Sequence, residues 1–386
     1  MQPSNYRKLK NAQYSIVHKT NKWYESFPDI ELTDDRFYIC SFTRATFHGG
    51  FHRSIMISRS EDGIQWSPPV MIARPRNRSY NFFILKKLLL EEYDCSKIQK
   101  TVGQQLEISV ALSDVDGKRN KPALFVFRSL NNGNNWLGPI ELNCQGLVQD
   151  DFLVNKHNPR ERIVGMHLRD KRTHALSQYI YRSLDNGITW KSPEVVASDG
   201  ITHFCEASIS YIPGTNIIVA FMRDNRREKK KVSTFFGKGY PTQICFSKDF
   251  GKNWTKPIIT SINGHRPVAK FLNDGRILVT YRDIFHLGIT GLWIADINPE
   301  KIVFTPEDSS SFNEIFSNKK YYIIEKEDKF NAHGDNGYTG WVQDPIDDKI
   351  LVVYYTKVGA TVGKVPFRTN DKRAYIKSVL IRPDNL

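Results

Sequence analysis

Four short segments of the sequence carry the same pattern of Ser, Asp or Asn, Gly and Trp. Three share one spacing and the first is a residue shorter: Ser60 to Trp66, Ser129 to Trp136, Ser183 to Trp190 and Ser247 to Trp254. In such a segment, the Ser and Asp or Asn side chains can hydrogen-bond the backbone of a hairpin, Gly supplies a positive φ, and Trp folds back onto the sheet. The pattern therefore predicts four similar β-hairpin turns that brace the fold rather than bind a ligand.

The spacing of these turns predicts the architecture. Successive tryptophans of the pattern are 70, 54 and 64 residues apart, which is too long for one hairpin and near the ~40–50 residues of a propeller blade. At this spacing the 386 residues hold about six units, each a four-stranded antiparallel sheet placed radially around a central channel. We therefore expect an all-β fold, a six-bladed β-propeller. With 40% hydrophobic residues to fill its core, it should form one domain over residues 1–386.

The net charge of +14 indicates which partners the protein would attract. It favours polyanions, whether acidic glycans, nucleic acid or anionic surfaces, through long-range attraction. The sequence has no run near the ~18 apolar residues of a membrane helix, and its start lacks the apolar core of a signal peptide. We therefore expect a soluble cytoplasmic protein, with export by another route left open.

The five cysteines lie mostly in strand-like runs, at positions 40, 95, 144, 205 and 245. Such positions are typical of buried free thiols in a reducing compartment. The cysteines include no closely spaced pair of the metal-ligand type, so we expect no structural zinc and no cofactor.

A second pattern repeats between the turns: one strand leads through a turn into another that ends in Arg or Tyr. Its copies run from Asp29 to Arg44, Asp151 to Arg169, Glu206 to Arg223, Arg266 to Arg282 and Tyr338 to Tyr355. We interpret each copy as the inner hairpin of one blade. The start of the first strand and the end of the second lie at the same end of a hairpin, so these polar residues should gather at one mouth of the channel.

The predicted mouth combines several arginines with acids, histidines and a tyrosine. Its expected members are Asp29, Arg44, His48, Asp151, Arg169, Glu206, Arg223, His265, Arg266, Arg282, Asp335 and Tyr338. Clustered arginines would repel one another unless a carboxylate ligand or nearby acids compensated, so the set suits recognition of an acidic sugar by paired N–H donors. Tyr338 with a neighbouring Glu can act as a nucleophile, because the carboxylate takes up the phenolic proton.

Together these features resemble the sialidase (neuraminidase) superfamily, in particular its branch with BNR repeats, also called Asp boxes. Besides the four turns, the resemblance rests on Phe27-Pro28-Asp29, Glu206, Gly264-His265-Arg266-Pro267, Asp274-Gly275-Arg276 and Asp335-Asn336-Gly337-Tyr338, and it covers nearly the whole chain. It implies a sialidase-like propeller that hydrolyses a terminal acidic sugar, as an exo-α-sialidase-like glycosidase. Sialidases use Tyr in place of the usual carboxylate nucleophile.

The resemblance also implies catalytic roles. Tyr338 and Glu206 would be the nucleophile and its base, and Arg223 and Arg282 would bind the substrate carboxylate. Sialidases usually place a third arginine in a Phe-Arg-Ile-Pro motif.

This chain has Ser26-Phe27-Pro28-Asp29 at that place. Either Arg44 substitutes from the other strand of the hairpin, or the natural sugar lacks the carboxylate geometry of sialic acid. Either Asp29 or His48 would pass a proton to the leaving oxygen. Further substrate-binding residues are expected to be Arg266, His265 and Asp335.

Two other functions stay open. A non-catalytic glycan-binding propeller would keep the arginines but tolerate loss of Glu206 or Tyr338. A polysaccharide lyase on the same fold would use Tyr338 and a His to abstract a proton beside a uronate carboxylate. In each case we expect a glycan or glycoconjugate partner, and no nucleic acid or membrane. The sugar, its linkage, exo or endo cleavage and the oligomeric state are left open.

Overall fold

The computed structural model describes most of the chain: residues 6–46, 53–73, 92–100, 106–113, 123–147, 150–226, 239–286, 288–305, 310–327, 336–358, 362–365 and 368–386. These residues form six antiparallel sheets of four strands, one of which gains a fifth, parallel strand. The first strands of neighbouring sheets pack against one another around a common channel. The fold is a six-bladed β-propeller, as the sequence predicts.

Blades 1 to 4 each follow the chain from the innermost strand to the outermost. Blade 1 contains Tyr24–Leu32, Tyr38–Ala45, Ser54–Ser60 and Val70–Ala73. Blade 2 contains Glu92–Lys100, Leu106–Ser113, Ala123–Ser129 and Leu137–Gln145. Blade 3 contains Leu153–Asn155, Asn158–Arg169, Leu176–Ser183 and Glu194–Ala197. Blade 4 contains Phe204–Tyr211, Ile218–Asp224, Gln243–Ser247 and Ile258–Ile259.

Blades 5 and 6 each include a strand from the beginning of the chain. Blade 5 contains Gly264–Phe271, Ile277–Asp283, Ile289–Ile297 and Phe316–Lys326, with Arg7–Lys8 parallel to the last. Blade 6 contains Thr339–Gln343, Ile350–Thr356, Tyr375–Ile381 and, outermost, Gln13–His18. The strand Gln13–His18 thus joins the beginning of the chain to its end within one sheet.

The remaining elements are short. A hairpin of Val362–Val365 and Arg368–Lys372 is inserted in blade 6. One α-helical turn, Phe312–Ile315, and two 3₁₀ turns, Pro299–Lys301 and Pro383–Asn385, complete the regular structure of the described residues. None of these helical turns approaches the length and hydropathy that a membrane span requires.

Apolar side chains fill the space between neighbouring blades. Between blades 1 and 2, for example, Ile39 and Ile55 pack with Ile98 and Ile108, all completely buried or nearly so. Side chains of a strand alternate between its two faces, and both faces of an inner strand meet another blade. This explains why every residue of Ile350–Thr356 is buried.

The four Trp-containing turns connect the third strand of blades 1 to 4 to the outermost strand. In blade 3, Ser183 Oγ accepts a hydrogen bond from Gly187 N over 2.8 Å, and Asp185 Oδ1 accepts one from Thr189 N over 2.8 Å. The Trp190 indole donates to Gly187 O over 3.2 Å. The first turn differs, because its Trp66 donates to Ser378 of blade 6.

The innermost strands of blades 1, 4 and 5 each contain a bulge near their first residues, close to one mouth of the channel. The pairing register shifts at Phe27, Glu206 and Arg266, in blades 1, 4 and 5. Each of these residues has a positive φ, 54°, 49° and 51° respectively, a conformation that costs a non-glycine residue roughly 1–2 kcal/mol. A bulge changes the direction in which the side chain of its extra residue points. The side chains of these three residues therefore do not follow the regular alternation between the two faces of their strands.

Candidate active site

Glu206, Tyr338 and Arg223 form one hydrogen-bonded group near the bulge of blade 4. Tyr338 Oη donates to Glu206 Oε1 over 2.7 Å. Arg223 Nη1 donates to Glu206 Oε2 over 2.8 Å and lies 3.1 Å from Tyr338 Oη. Glu206 and Tyr338 are buried, with 7% and 8% of their surface exposed. The structure thus brings Tyr338 into contact with Glu206 and Arg223, which lie 132 and 115 residues earlier in the sequence.

Arg282 packs against the same tyrosine from blade 5. Its Cζ atom lies 4.3 Å from the centroid of the Tyr338 ring. The guanidinium is fixed by donation to the Asn336 carbonyl and, over 2.6 Å, to Tyr355 Oη. Gly337 makes this placement possible, because its φ is 70° and a Cβ atom there would lie 2.5 Å from Thr290 Oγ1.

The electrostatics of the group define its resting protonation state. Burial alone would raise the pKa of Glu206, but the charges of Arg223 and Arg266 and the hydrogen bonds from Arg223 and Tyr338 lower it to about 2. Burial and then the negative charge of Glu206 raise the pKa of the Tyr338 phenol well above its usual range. At neutral pH the pair is therefore a carboxylate that accepts a hydrogen bond from a neutral phenol.

His167, in blade 3, is a buried neighbour of this group that the sequence did not single out. The Glu206 backbone N–H donates to His167 Nδ1 over 3.4 Å. Burial lowers the pKa of the His167 imidazole to about 4, although the Glu206 charge opposes this. A neutral imidazole therefore contacts the backbone of the strained Glu206 position.

Arg53 was also missed, although it lies near the site. Its Cζ atom is 5.7 Å from the centroid of the Phe27 ring, and that ring is 5.4 Å from the Tyr338 ring. Arg53 directly precedes the third strand of blade 1 and belongs to none of the sequence patterns described above, so the sequence did not mark it.

The predicted substrate-binding residues Arg266 and His265 lie at the bulge of blade 5. Both are buried, at 5% and 6% exposure. The Arg266 charge acts on Glu206 and on His167, and His265 pairs in register with Arg282. Both therefore lie beside the Glu206 and Tyr338 pair.

Asp29 and Asp151 lie deeper in the channel, where they form what we call the channel charge cluster with Lys97 and Lys270. Lys97 Nζ is 3.3 Å from Asp29 Oδ2 and 3.5 Å from Asp151 Oδ1. Lys270 Nζ is 3.3 Å from Asp151 Oδ2. Asp29 follows Phe27 by two residues, or ~6–7 Å of extended strand, so it is engaged by lysine away from Tyr338.

The other expected residues are elsewhere or outside the described part. Arg44 makes an ion pair of 2.6 Å with the fully buried Glu25, which also contacts His18 at 2.8 Å. Arg169 donates to the His174 carbonyl over 2.5 Å in an exposed loop. His48 and Asp335 lie outside the described residues. Among the residues that are described, no three His, Cys, Asp or Glu side chains are arranged to hold a metal ion.

Comparison with known proteins extends the fold assignment. No protein-family profile matches the sequence, and no curated protein matches it either. Solved structures do match. A protein of unknown function from Dyadobacter fermentans aligns with a TM-score of 0.70 at 18% identity, over 96% of this chain and 99% of that one.

Two glycoside hydrolases are among the other similar structures. The NanB sialidase from Streptococcus pneumoniae has a TM-score of 0.63 at 12% identity, over 97% of this chain and 71% of that one. The GH93 α-L-arabinofuranosidase of Fusarium graminearum, bound to arabinobiose, has a TM-score of 0.61 at 11% identity, over 98% and 99%. At these identities the likeness concerns the fold: this chain has the six-bladed propeller that sialidases and GH93 enzymes also have.

Proposed function

We propose that the protein is a retaining glycoside hydrolase of sialidase type that removes a terminal acidic sugar from a glycan. The observation that carries the proposal is the hydrogen bond of 2.7 Å between Tyr338 Oη and Glu206 Oε1, with Arg223 in contact with both. The propeller shared with sialidases supports it at the level of the fold. Membership of the Asp-box branch belongs to the same proposal.

In the proposed reaction, Tyr338 Oη attacks the anomeric carbon and its proton passes to Glu206. The bond from that carbon to the leaving oxygen breaks, which gives a glycosyl-tyrosine. Water then attacks the same carbon and breaks its bond to Tyr338 Oη. The phenol recovers its proton from Glu206, and the water proton passes to the group that protonated the leaving oxygen, so the configuration is retained. As Tyr338 loses its proton, Arg223 at 3.1 Å and Arg282 over the ring face stabilise the developing phenolate charge.

We infer an acidic substrate from the two guanidinium groups that lie against Tyr338. Arg223 Nη1 is 3.1 Å from the Tyr338 oxygen, and Arg282 Cζ is 4.3 Å from the centroid of the Tyr338 ring. The paired N–H donors of guanidinium groups are suited to a substrate carboxylate. We assign it to Arg223 and Arg282. Arg44, which pairs with Glu25, is better suited to bracing blade 1.

The leaving oxygen needs a general acid. Asp29 is 1% exposed and held by Lys97 and the Ile98 backbone N–H, which argues for a structural role. We therefore propose His48, which the sequence places after the second strand of blade 1, as the proton donor.

The test is release of 4-methylumbelliferone from a panel of glycosides: sialoside, glucuronide, α-L-arabinofuranoside and other neutral sugars. The variants are Tyr338→Phe and, as a matched control, Tyr355→Phe. Both variants lose one hydroxyl group in contact with an arginine of the site. We expect turnover of one acidic glycoside, a loss on the order of 10³-fold or more in Tyr338→Phe, and in Tyr355→Phe mainly a raised KM.

Other outcomes would redirect the proposal. Retained activity in Tyr338→Phe would show that Tyr338 is not the nucleophile. Turnover only of the arabinofuranoside would contradict the acidic substrate. If no glycoside turns over while a uronate polysaccharide yields an ultraviolet-absorbing unsaturated product, the protein is a lyase. Binding without turnover would indicate a glycan-binding propeller.

A further inference from the structure

The innermost strand of each blade is an edge strand. Every second backbone N–H group of that strand points towards the channel, so it has no partner within its own sheet. Such groups must be hydrogen-bonded when they are buried. Around the channel, several are bound by a side chain of the preceding blade. The acceptors are Asp29 for Ile98 N (3.0 Å), Gln99 for Phe152 N (2.7 Å), Asp150 for Ile209 N and Ser208 for Ala269 N (3.1 Å).

We call these four contacts the interblade links. They connect blade 1 to 2, 2 to 3, 3 to 4 and 4 to 5, respectively. Their acceptors are a carboxylate, an amide, a carboxylate and a hydroxyl, so no sequence motif marks them. What they share is a position on or next to an innermost strand.

The link made by Asp150 differs from the other three because it holds the strand that contains Glu206. Ile209 follows Glu206 by three residues on the innermost strand of blade 4. Between Cys205 and Ser208 the pairing with the second strand is irregular, so Glu206 lies in the part of the strand with least support from its own sheet. The Asp150 link binds the strand to blade 3 three residues after Glu206.

Asp150 is itself firmly placed. It is 4% exposed, and its backbone N–H donates to Gly165 O over 3.0 Å. A Cβ atom at Gly165 would lie 3.5 Å from Asp150 Cβ and 3.2 Å from Ile209 Cδ1, so blades 3 and 4 pack closely here. The charged side chains that face Asp150 are Asp151, Lys97 and Arg266.

We propose that Asp150 is a positioning residue of the active site: by accepting the Ile209 N–H it fixes the innermost strand of blade 4, and thereby holds Glu206 at hydrogen-bonding distance from Tyr338. The catalytic part of this inference rests on the proposed glycosidase function, and the structural part does not. Asp150 acts through Glu206 and does not contact the reacting atoms.

The variants separate the hydrogen bond from the charge. Asp150→Ala removes the acceptor, whereas Asp150→Asn keeps an acceptor oxygen in a side chain that cannot ionise. Asp150→Glu keeps the charge, displaces the acceptor by one methylene group, and serves if the alanine variant does not fold. Gln99→Ala is the matched control, because it breaks the equivalent link between blades 2 and 3, away from Glu206.

The first readout needs no substrate. The protein is labelled with [¹³Cζ]tyrosine, and the Tyr338 resonance among the 17 tyrosines is assigned by its loss in Tyr338→Phe. We expect this resonance to move in Asp150→Ala and Asp150→Glu, because the hydrogen bond to Glu206 is disturbed. It should stay in place in Asp150→Asn and in Gln99→Ala. An unchanged resonance in Asp150→Ala and Asp150→Glu would overturn the proposal, as would an equal change in Gln99→Ala.

The second readout uses the glycoside found by the panel. We expect kcat to fall by about 10²-fold in Asp150→Ala with KM nearly unchanged, since a misplacement of about 1 Å costs that much. Asp150→Asn should restore kcat, and Gln99→Ala should lower only the unfolding temperature. If wild type turns over no glycoside, the proposed function fails and the resonance still decides the positioning role. If wild type is active and Asp150→Ala keeps both kcat and the resonance, only the positioning role fails.

Discussion

Removal of Lys97 from the channel charge cluster should destabilise the protein strongly. Its ammonium group bridges Asp29 at 3.3 Å and Asp151 at 3.5 Å, and the side chains of Lys97 and Asp29 are 3% and 1% exposed. The variant Lys97→Met keeps the aliphatic volume but leaves Asp29 without its ion-pair partner. Breaking one partner of a buried pair costs about 3–5 kcal/mol.

This cost can be converted into a melting temperature. With an unfolding entropy of about 2.1 cal/mol/K per residue, the 386 residues give roughly 0.8 kcal/mol/K. The melting temperature of Lys97→Met should therefore fall by roughly 4–6 °C. Differential scanning calorimetry at pH 7 measures it.

Lys100 provides the matched control on the same strand. It pairs with Asp34 at 3.0 Å, but both side chains are more than a third exposed, at 35% and 37%. Such surface pairs contribute about 0–1 kcal/mol, so Lys100→Met should lower the melting temperature by at most about 1 °C. The double variant Asp29→Asn/Lys97→Met should recover part of the loss, because the buried charge is gone. A shift below about 1 °C in Lys97→Met, or no recovery in the double variant, would refute the reasoning.

Three further predictions concern the channel and the site. A Cβ atom at Gly340 would lie 2.2 Å from Asp29 Oδ1, whereas one at Gly275 would meet open space and bear only the strain of a φ of 86°, roughly 1–2 kcal/mol. Gly340→Ala should therefore unfold at a lower urea concentration than Gly275→Ala, and similar midpoints would contradict the close packing of blade 6 on blade 1. Burial and the neighbouring charge of Asp151 raise the pKa of Asp150 to about 7, so the folded state binds this proton more tightly than the unfolded chain. The resulting stabilisation is present below about pH 4 and is lost as pH rises through the folded-state pKa. Urea titrations should show a smaller loss of stability over this interval in Asp150→Asn, and an identical pH profile would exclude the assignment. Glu206→Gln should lower kcat by about 10²–10⁴-fold, because the amide cannot take up the phenolic proton; the panel glycoside measures this, and a kcat near that of wild type would show that Glu206 is not the base.

Much of the fold could be predicted because it depends on local chemistry. The turn residues and the repeated strand pairs give the blade number and the inner hairpins of five blades. Blade 2 shows the limit, since its inner hairpin, Glu92–Lys100 with Leu106–Ser113, ends in neither Arg nor Tyr. The strand Gln13–His18 was not foreseen in blade 6, because pairing between the two ends of the chain leaves no local signal.

The site was predictable only in part, because bulges decide which residues meet. Glu206, Arg223, Arg282 and Tyr338 were expected together and lie together. Asp29 was expected with them, but a bulge two residues earlier places it in the channel charge cluster. A sequence pattern cannot show where a strand gains one residue.

Other partners are not marked in the sequence, because the pairing of strands and the packing of blades bring them together. Arg44 has the same strand-end position as Arg223, yet Glu25 on the paired strand neutralises it. His167 lies in a strand of blade 3, and only the packing of blades 3 and 4 brings it to the Glu206 backbone. Residues of these kinds require the three-dimensional arrangement.

The central claim is that Tyr338 is the nucleophile. The most direct measurement is mass spectrometry of peptides after the enzyme is trapped with a fluorinated analogue of the sugar that the panel identifies, which slows hydrolysis of the glycosyl-enzyme. Our account predicts one covalently bound sugar, attached to Tyr338, and none in Tyr338→Phe. A sugar attached to another residue, or steady turnover of the natural glycoside in Tyr338→Phe, would contradict it.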